Sequence, residues 1–414
     1  MMLWISLAIR NARRNLRRTL LTAATVVFGV AMMVLGMAWI EGIFGQMISL
    51  YTAQSGHVRV LDGDYAQREE LQPLYENIED AAAVEDAITE VDGVTYVAPR
   101  IVVGAVITAD EEIGEDFTMV VGAPQDYFTG TFAGPDHLVD GQWLTGEAGE
   151  VVLGAKIAGQ IGAAVGDEVL LLGQTQYGSM SPMAAQVVGI VSGDASLRQQ
   201  AFVTLEDAQW MLDLEGGALE LLVWAEDDEP ETGLALASRI ASLEGMDGYL
   251  AQAWIERSPW NMMIGMIGVL QGFLQGILVF ITALAIFNTM TVSVLERTRE
   301  IGVMRAMGLT RVGAVGMFVV EAIAIGLLGG VVGAALGAVP SAYLEAVGVT
   351  MGADIVDATA GTGFPMTETF YADMNPEIFV NGVLIGVAMA VMGALLPSLR
   401  AAAIRPVVAM RARR

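Results

Sequence analysis

Few side chains in this sequence could carry out covalent chemistry. The 414 residues include two histidines and no cysteine, which excludes disulfides, thiolate metal sites and cysteine nucleophiles. The single lysine, Lys156, precedes Ile157, so it lacks the hydroxyl that holds Mg²⁺ in a phosphate-binding loop. His57 and His137 are isolated. The 47 acidic residues leave a carboxylate pair open, but the sequence predicts no catalytic residue and no metal ligand, and it indicates a chain that is not itself an enzyme.

The most informative charged segment lies at residues 296–310, where the sequence reads ERTREIGVMRAMGLT. Ile301, Met304 and Gly308 fall on one stripe at helical spacing, while Arg297, Glu300 and Arg305 are polar. The segment therefore predicts a short amphipathic helix. Such a helix suits docking into a groove on a soluble partner, or it rests on lipid headgroups.

Four long apolar segments surround this helix in the sequence. A bilayer core about 30 Å thick needs roughly 20 apolar residues in a helix, so we expect transmembrane helices at 20–45, 261–295, 312–345 and 377–399. Arginines cluster beside these segments, and short basic loops stay in the cytoplasm. The arginines place three parts inside, namely an amphipathic N-terminal helix at 1–19, the segment 296–311 and the tail 400–414. Residues 46–260 and 346–376 are then outside.

The larger external segment is strongly acidic. Residues 51–260 hold 37 acidic and 7 basic side chains, a net charge of −30 in a chain whose total is −26. This balance argues against a nucleic-acid-binding face, and the missing calcium-loop spacing favours a solvated surface. Strand and helix patterns alternate here, and we expect two β-α-β halves with a mainly β insertion at about 100–204. The predicted fold class is a membrane α-helical protein, with a large α+β extracytoplasmic domain between helices 1 and 2.

Two features inside the predicted spans have alternative interpretations. Glu321 lies ten residues past Arg311, about 15 Å along a helix. It is either a proton or ion site or a buried group bonded to Asn288 or Thr291, and we favour the second. Glycines at four-residue spacing predict close helix contacts, either with a second subunit or within the chain; on the second span these are Gly268, Gly272 and Gly276.

The segment at 296–308 resembles the cytoplasmic coupling motif of FtsX-like ABC-transporter permeases, the type VII superfamily of lipoprotein-releasing permeases and macrolide exporters. Residues 10–15, RNARRN, resemble that family's N-terminal helix, and residues 318–322, FVVEA, resemble its third span. Residues 396–406, LPSLRAAAIRP, resemble its C-terminal end. One span, a large external domain and three further spans also match the family's topology.

This resemblance implies a dimer of two permease copies, or of this chain and a paralogue, in the bacterial inner membrane. It also implies a separate dimer of ABC ATPase subunits that binds ATP and Mg²⁺, so no cofactor is expected in this chain. Its residues expected to contact the ATPase are Glu296, Arg297, Arg299, Glu300, Met304, Arg305, Met307 and Gly308.

The length and the size of the external segment best resemble the lipoprotein-releasing branch. That implies a permease that uses ATP hydrolysis in its partner to release lipoproteins toward the outer membrane. The alternatives are tripartite efflux or peptide export, or mechanical activation of an envelope hydrolase. The branch also implies a hook that binds a periplasmic carrier. We place this hook in the loop at 174–186, with Tyr177, Met180, Pro182 and Met183. The other interpretation is an ordinary loop.

Methionines are frequent in the outer halves of the first two predicted spans. Their flexible side chains suit binding of apolar chains, and contact with membrane lipids explains them equally well. The residues expected to line an acyl-chain cavity are Met33, Met37, Ile40, Met263, Met266 and Leu270.

Overall fold

The computed structural model describes residues 16–110, 114–193, 196–258, 260–351, 367 and 369–403. Three predicted segments therefore lie partly outside the described residues: most of the N-terminal helix, the middle of the loop at 346–376 and most of the tail at 400–414.

The helices and strands follow one another in the order of the chain. They are α1 (Leu16–Ser55), β1 (Val58–Asp62), α2 (Gly63–Gln67), α3 (Ala81–Thr89), β2 (Tyr96–Asp110), β3 (Gly114–Ala123), α4 (Gln125–Thr129), β4 (Leu138–Gly141), β5 (Glu150–Gly154), α5 (Ala155–Ile161), β6 (Glu168–Gln174), β7 (Met180–Val191), β8 (Gln200–Thr204), α6 (Leu205–Leu212), β9 (Glu220–Trp224), α7 (Pro230–Ala241), β10 (Tyr249–Ala253), α8 (Trp260–Glu296), α9 (Thr298–Ala306), α10 (Arg311–Val347), β11 (Val349–Thr350), β12 (Thr369–Phe370) and α11 (Pro376–Ala403).

Four of these helices, α1, α8, α10 and α11, are long and apolar enough to cross a membrane. The first apolar helix extends over Leu20–Ser55, 36 residues, which is about 54 Å at helical rise. Helix α1 therefore continues ten residues beyond the predicted boundary at 45. Loss of hydrophobicity, the signal used to predict that boundary, marks the end of the apolar stretch and not the end of the helix.

The chain forms two compact units, and the first comprises residues 1–45, 266–349 and 370–414. In its described part, glycines on α10 allow α1 to pack against it closely. A Cβ at Gly333 would lie 2.6 Å from the Val27 carbonyl oxygen, and one at Gly337 would lie 2.7 Å from that of Ala31. By contrast, Gly268, Gly272 and Gly276 on α8 have no described atom within 4 Å of such a Cβ. Of the glycines at four-residue spacing, those on α10 and α11 therefore pack against other helices of the described chain, whereas those on α8 do not.

The second unit comprises residues 46–265 and 350–369. Its ten-stranded sheet has the order β10-β1-β9-β2-β3-β8-β5-β7-β4, and β6 pairs with β2 and β7. The sequence pattern predicts separate strands at 94–97 and 101–109, but β2 is a single strand of 15 residues. Its first part pairs with β9 and its second part with β3. The break at Pro99 in the pattern is therefore only a change of partner strand.

Candidate functional site: the α9 segment and the helix-end cluster

The short helix α9 lies between two apolar helices and has a defined end. The amide of Leu309 donates to the Met304 carbonyl at 3.0 Å, and that of Gly308 donates to the Arg305 carbonyl at 3.2 Å. These two bonds form a Schellman motif, and Gly308 has φ +103°, which favours glycine. The next helix begins at once, because the Thr310 hydroxyl accepts from the amide of Gly313 at 3.0 Å. The turn between α9 and α10 is fixed by local bonds.

The apolar stripe of α9 packs inward. Ile301 is buried in a cluster with Val294, Phe318 and Ala401, and Met304 packs against the same cluster. Met304, which is expected to contact a partner, is half-buried, and the buried part of its side chain covers the chain's own helices. Met307 is 76% exposed and retains the predicted outward position.

A buried ion pair ties the start of this segment to α10. Arg297 Nη1 lies 3.2 Å from Glu321 Oε2, and both side chains are less than a tenth exposed. The predicted partners of Glu321 were wrong: Asn288 is exposed, and the Thr291 hydroxyl donates to the Phe287 carbonyl. Arg297, which is expected to contact the ATPase, is buried within the described chain and pairs with Glu321.

Arg305 is half-buried and also holds α9 against the chain's own helices. Its Nη1 donates to the Ala402 carbonyl at 2.8 Å, which links α9 to the last turn of α11. The predicted contact residues that are exposed on this segment are Glu296, Arg299, Glu300, Met307 and Gly308. The structure therefore separates the eight residues into an outward set of five and an inward set of three.

The segment predicted as a carrier hook is a β-hairpin with a short loop. Strands β6 and β7 pair up to Gln174 and Met180, so the loop has five residues and not the predicted thirteen. Tyr177, Met180 and Pro182 are exposed, whereas Met183 is 4% exposed and belongs to the core of the domain. Alternation along β7 explains this difference, since successive side chains point to opposite faces.

The six residues expected to line an acyl-chain cavity do not share one environment. Met33 and Met37 are buried in the helical core with Ile286 and Met290. Ile40 is half-buried. Of the α8 residues, one is buried and two are exposed: Met263 is buried, and Met266 and Leu270 are exposed.

A cluster that the sequence analysis missed lies at the C-terminal end of α1, within the second unit. The last carbonyls of a helix have no partner within it, and here side chains of the sheet domain supply donors. Trp224 Nε1 donates to the Thr52 carbonyl at 2.8 Å. Arg100 Nη1 and the Tyr127 hydroxyl donate to that of Gln54 at 2.6 and 2.7 Å, and Arg257 Nη1 donates to that of Ser55 at 3.1 Å. We call Arg100, Tyr127, Trp224, Arg257 and these carbonyls the helix-end cluster.

Ion pairs on the sheet support this cluster. Arg100 Nε lies 2.9 Å from Glu220 Oε1, and Arg59 makes a two-pronged contact with Glu69 at 2.5 and 2.7 Å. Burial alone would raise the pKa of Glu220, but the guanidiniums of Arg100, Arg59 and Arg257 outweigh it and lower the pKa. Glu220 is therefore ionised at neutral pH and fixes Arg100 beneath the end of α1.

A second polar contact joins α1 to the loop after β9. Asp228 accepts from the Thr52 hydroxyl at 2.6 Å and lies 2.8 Å from His57 Nε2, and the amide of Ala225 donates to His57 Nδ1 at 3.0 Å. The hydrogen bond to His57 lowers the pKa of Asp228, although burial acts against it. His57 is therefore a structural residue of this joint.

Neither the contacts around α9 nor those at the end of α1 have the geometry of a catalytic or metal centre. Among the described residues, no group of three histidine, aspartate or glutamate side chains could hold a metal ion. The α9 contacts and the helix-end cluster can both transmit force, because each connects a long helix to a neighbouring element through buried charged groups.

Comparison with known protein families finds two matches, which together cover parts of both units. Residues 19–235 match the family model described as a MacB-like periplasmic core domain, and residues 272–406 match the FtsX-like permease C-terminal model. The chain is 27% identical over 228 residues to the uncharacterized ABC transporter permease YknZ of Bacillus subtilis, covering 55% of this chain and 52% of that protein.

Two further relatives have named functions. The chain is 26% identical over 367 residues to the macrolide export ATP-binding/permease protein MacB of Hyphomonas neptunium, covering 80% of this chain and 52% of that protein. It is 26% identical over 276 residues to the lipoprotein-releasing system transmembrane protein LolC of Xylella fastidiosa strain Temecula1, covering 63% and 64%. The chain thus spans between about half and two thirds of the length of these relatives.

Proposed function

The chain belongs to the family of ABC transporter permeases that combine an FtsX-like permease region with a MacB-like periplasmic core domain, and on this premise we propose that it couples ATP hydrolysis by a partner to movement of its external domain. The ATP and Mg²⁺ are bound by a separate ATPase subunit in this proposal. In this proposal the chain itself supplies no catalytic group, and its relatives named as ABC transporter permeases support this part of the proposal.

The position of α9 is the observation that carries this proposal. Its apolar stripe, Arg297 and Arg305 hold it against α10 and α11. The face that remains outward carries charged side chains and Met307. A rigidly held helix with an exposed face of this kind suits docking into a groove on a soluble partner, and a push on it is passed to the long helices.

We further propose that two permease copies assemble in the bacterial inner membrane. The face of α8 with Gly268, Gly272 and Gly276 has open space beside it in the described chain. Small residues at this spacing allow close approach of a second helix in lipid, so this face is the proposed contact with the second copy or a paralogue.

For the substrate we propose a lipoprotein, released toward a periplasmic carrier. The similarity to LolC supports this proposal, and so does the β6–β7 hairpin, whose exposed Tyr177 and Met180 offer an apolar contact for the carrier. Export of a small molecule or peptide is the second candidate function, because the similarity to MacB extends over a larger share of the chain. Regulation of an envelope hydrolase stays as the third.

The coupling proposal is tested by reversing two exposed charges on α9 with the double substitution Arg299→Glu and Glu300→Arg. We expect binding of the ATPase subunit to the purified permease to fall at least tenfold, since charges at the rim of an interface steer association and reject wrong partners. The control is Lys156→Glu, an equally exposed charge reversal on α5 of the external domain. Unchanged binding of the α9 variant, with thermal unfolding like that of the wild type, would contradict the proposal.

The substrate proposal is tested by co-purification from native membranes. A lipoprotein and a soluble carrier bound to the wild type, with the carrier lost in a Tyr177→Ser, Met180→Ser variant, support lipoprotein release. An adaptor protein with an outer-membrane channel would instead favour export, and a cell-wall hydrolase would favour regulation of that enzyme.

A further inference from the structure

A cavity of about 210 Å³ opens beside the helix-end cluster, within the second unit. The residues that line it include Arg59, Arg100 and Arg257, together with Glu69 and Glu220. Residues 51–260 contain only seven basic side chains against 37 acidic ones. Three of these seven basic residues line one cavity. A uniformly acidic, solvated surface would not gather its few basic residues in one place.

The charges in this cavity do not cancel. Glu69 is engaged by Arg59 and Glu220 by Arg100, which leaves Arg257 without a carboxylate partner within 4.0 Å among the described residues. Its guanidinium lies 5.2 Å from the ring centre of Tyr51, and the residue as a whole is 7% exposed. Glu220 interacts with Arg257 only at longer range, and a buried charge that is not directly paired is costly. Burial lowers the pKa of Arg257 to about 10, so the group is still charged at neutral pH.

Side chains that line the cavity also carry hydrogen-bond donors. Within the described part of the chain, Arg257 donates one side-chain hydrogen bond, from Nη1 to Ser55, which leaves Nε and Nη2 available. The buried Tyr65 hydroxyl lines the cavity without a hydrogen bond to a described residue. Gln72 accepts from the amide of Gly104 through Oε1 at 3.3 Å, and its Nε2 is a further donor. Two or three donors around a net positive charge are the features that oxyanions require.

We propose that this cavity binds an oxyanion group, a carboxylate or a phosphate, through Arg257, with Tyr65 and Gln72 as further donors. The volume is many times that needed for one water molecule, and Val102, Met119 and Leu219 supply an apolar wall for the carbon part of an organic anion. Because Arg257 also bonds to the end of α1, the bound anion would stiffen the helix-end cluster. This site does not depend on the proposed coupling to ATP.

The same chemistry is offered by a free anion and by an anionic lipid headgroup, and the experiment separates them. Thermal unfolding of the full chain is measured in nanodiscs of phosphatidylcholine, with inorganic phosphate titrated against sodium chloride at constant pH and ionic strength. A ligand that binds only the folded state raises the melting temperature with its concentration. A parallel series without phosphate replaces part of the lipid by phosphatidylglycerol, and a shift in that series alone identifies a headgroup.

Two variants make the result specific to the cavity. In Arg257→Gln we expect the anion-dependent shift to disappear, whereas in Arg239→Gln, a change at an arginine on α7, it is expected to stay. Tyr65→Phe removes only the hydroxyl and should weaken the apparent affinity about tenfold, the effect of losing a hydrogen bond to a charged group. It also serves as the test if Arg257→Gln fails to fold. The proposal is overturned if the wild type shows no shift in either series, or if Tyr65→Phe responds like the wild type.

Discussion

Removing one member of the Arg297–Glu321 ion pair is predicted to destabilise the helical unit strongly. The two groups are 3.2 Å apart, with 8% and 9% of their side chains exposed. At an effective dielectric constant of about 20, two charges roughly 4 Å apart attract by about 4 kcal/mol, which offsets the cost of burying them. In Glu321→Gln the guanidinium stays buried without its counter-charge, and losses of about 3–5 kcal/mol are typical of such a change.

Replacing both partners by apolar residues should restore much of this loss. We expect Arg297→Met with Glu321→Leu to be markedly more stable than Glu321→Gln alone, because no unpaired charge is left inside the unit. The four proteins of a double-mutant cycle, with each substitution alone and together, are compared in lipid–detergent mixtures by titration with sodium dodecyl sulfate. Loss of helix is followed by circular dichroism.

The matched control is Arg299→Met, which removes an exposed arginine from the same segment. Surface substitutions of this kind usually change stability by less than about 0.5 kcal/mol. The reasoning fails if Glu321→Gln is as stable as this control. It also fails if the two substitutions of the cycle add without coupling, since a real ion pair requires an interaction energy.

The remaining predictions concern the turn after α9 and the Asp228 contact. Gly308→Ala should lower the free energy of unfolding by about 1–3 kcal/mol and weaken ATPase binding, because φ at this position is +103°. Space is not the reason, since a Cβ there meets no described atom within 4 Å. The control is Gly316→Ala, which is equally open but lies in a helix and should be neutral. His57 and its hydrogen bond lower the pKa of Asp228 from its ordinary 3.8, so the stabilisation is full above about pH 4 and is lost as the pH falls through the lower folded-state pKa. Melting temperatures between pH 7 and pH 3 should therefore fall less steeply for Asp228→Asn than for Asp86→Asn, and equal slopes would contradict this assignment.

The α9 segment shows how far helical periodicity leads. The spacing of Ile301 and Met304 correctly places both on one stripe, whereas Gly308, assigned to the same stripe, lies past the end of the helix. The pattern does not say what covers that stripe, however. Both residues pack against the chain's own helices, which the spacing alone does not indicate. Periodicity identifies a face, but only the tertiary structure identifies its neighbour.

Glu321 and Arg297 show a second limit of sequence reasoning. They are 24 positions apart, and an intervening turn brings them together. The sequence predicts the polar residues Asn288 and Thr291, on a neighbouring span, as partners of a buried carboxylate. The actual partner is Arg297, which the sequence analysis assigns to a cytoplasmic basic cluster. It reaches Glu321 because α10 begins close to the end of α8.

The helix-end cluster was missed because its members come from five distant parts of the sequence, near residues 54, 100, 127, 224 and 257. No short motif joins them, and the strand pairing of β1, β2 and β9 is what assembles them. One signal was nevertheless present. Basic residues are rare between 51 and 260, and a rare charge that burial makes expensive is retained only where a specific partner holds it.

The cluster also has the stiffness that a force-transmitting joint requires. Four side-chain donors occupy the last carbonyls of α1, and two of them are guanidiniums. A neutral hydrogen bond contributes about 1 kcal/mol and a charged one about 1.5–3, so pulling α1 away from the sheet costs on the order of 5 kcal/mol. That is comparable with the whole stability of many domains. In the coupling mechanism proposed above, a displacement of the end of α1 would therefore reach β2 and β9 before the contact breaks, whereas a weaker contact at this position would let the helix move while the sheet stayed still.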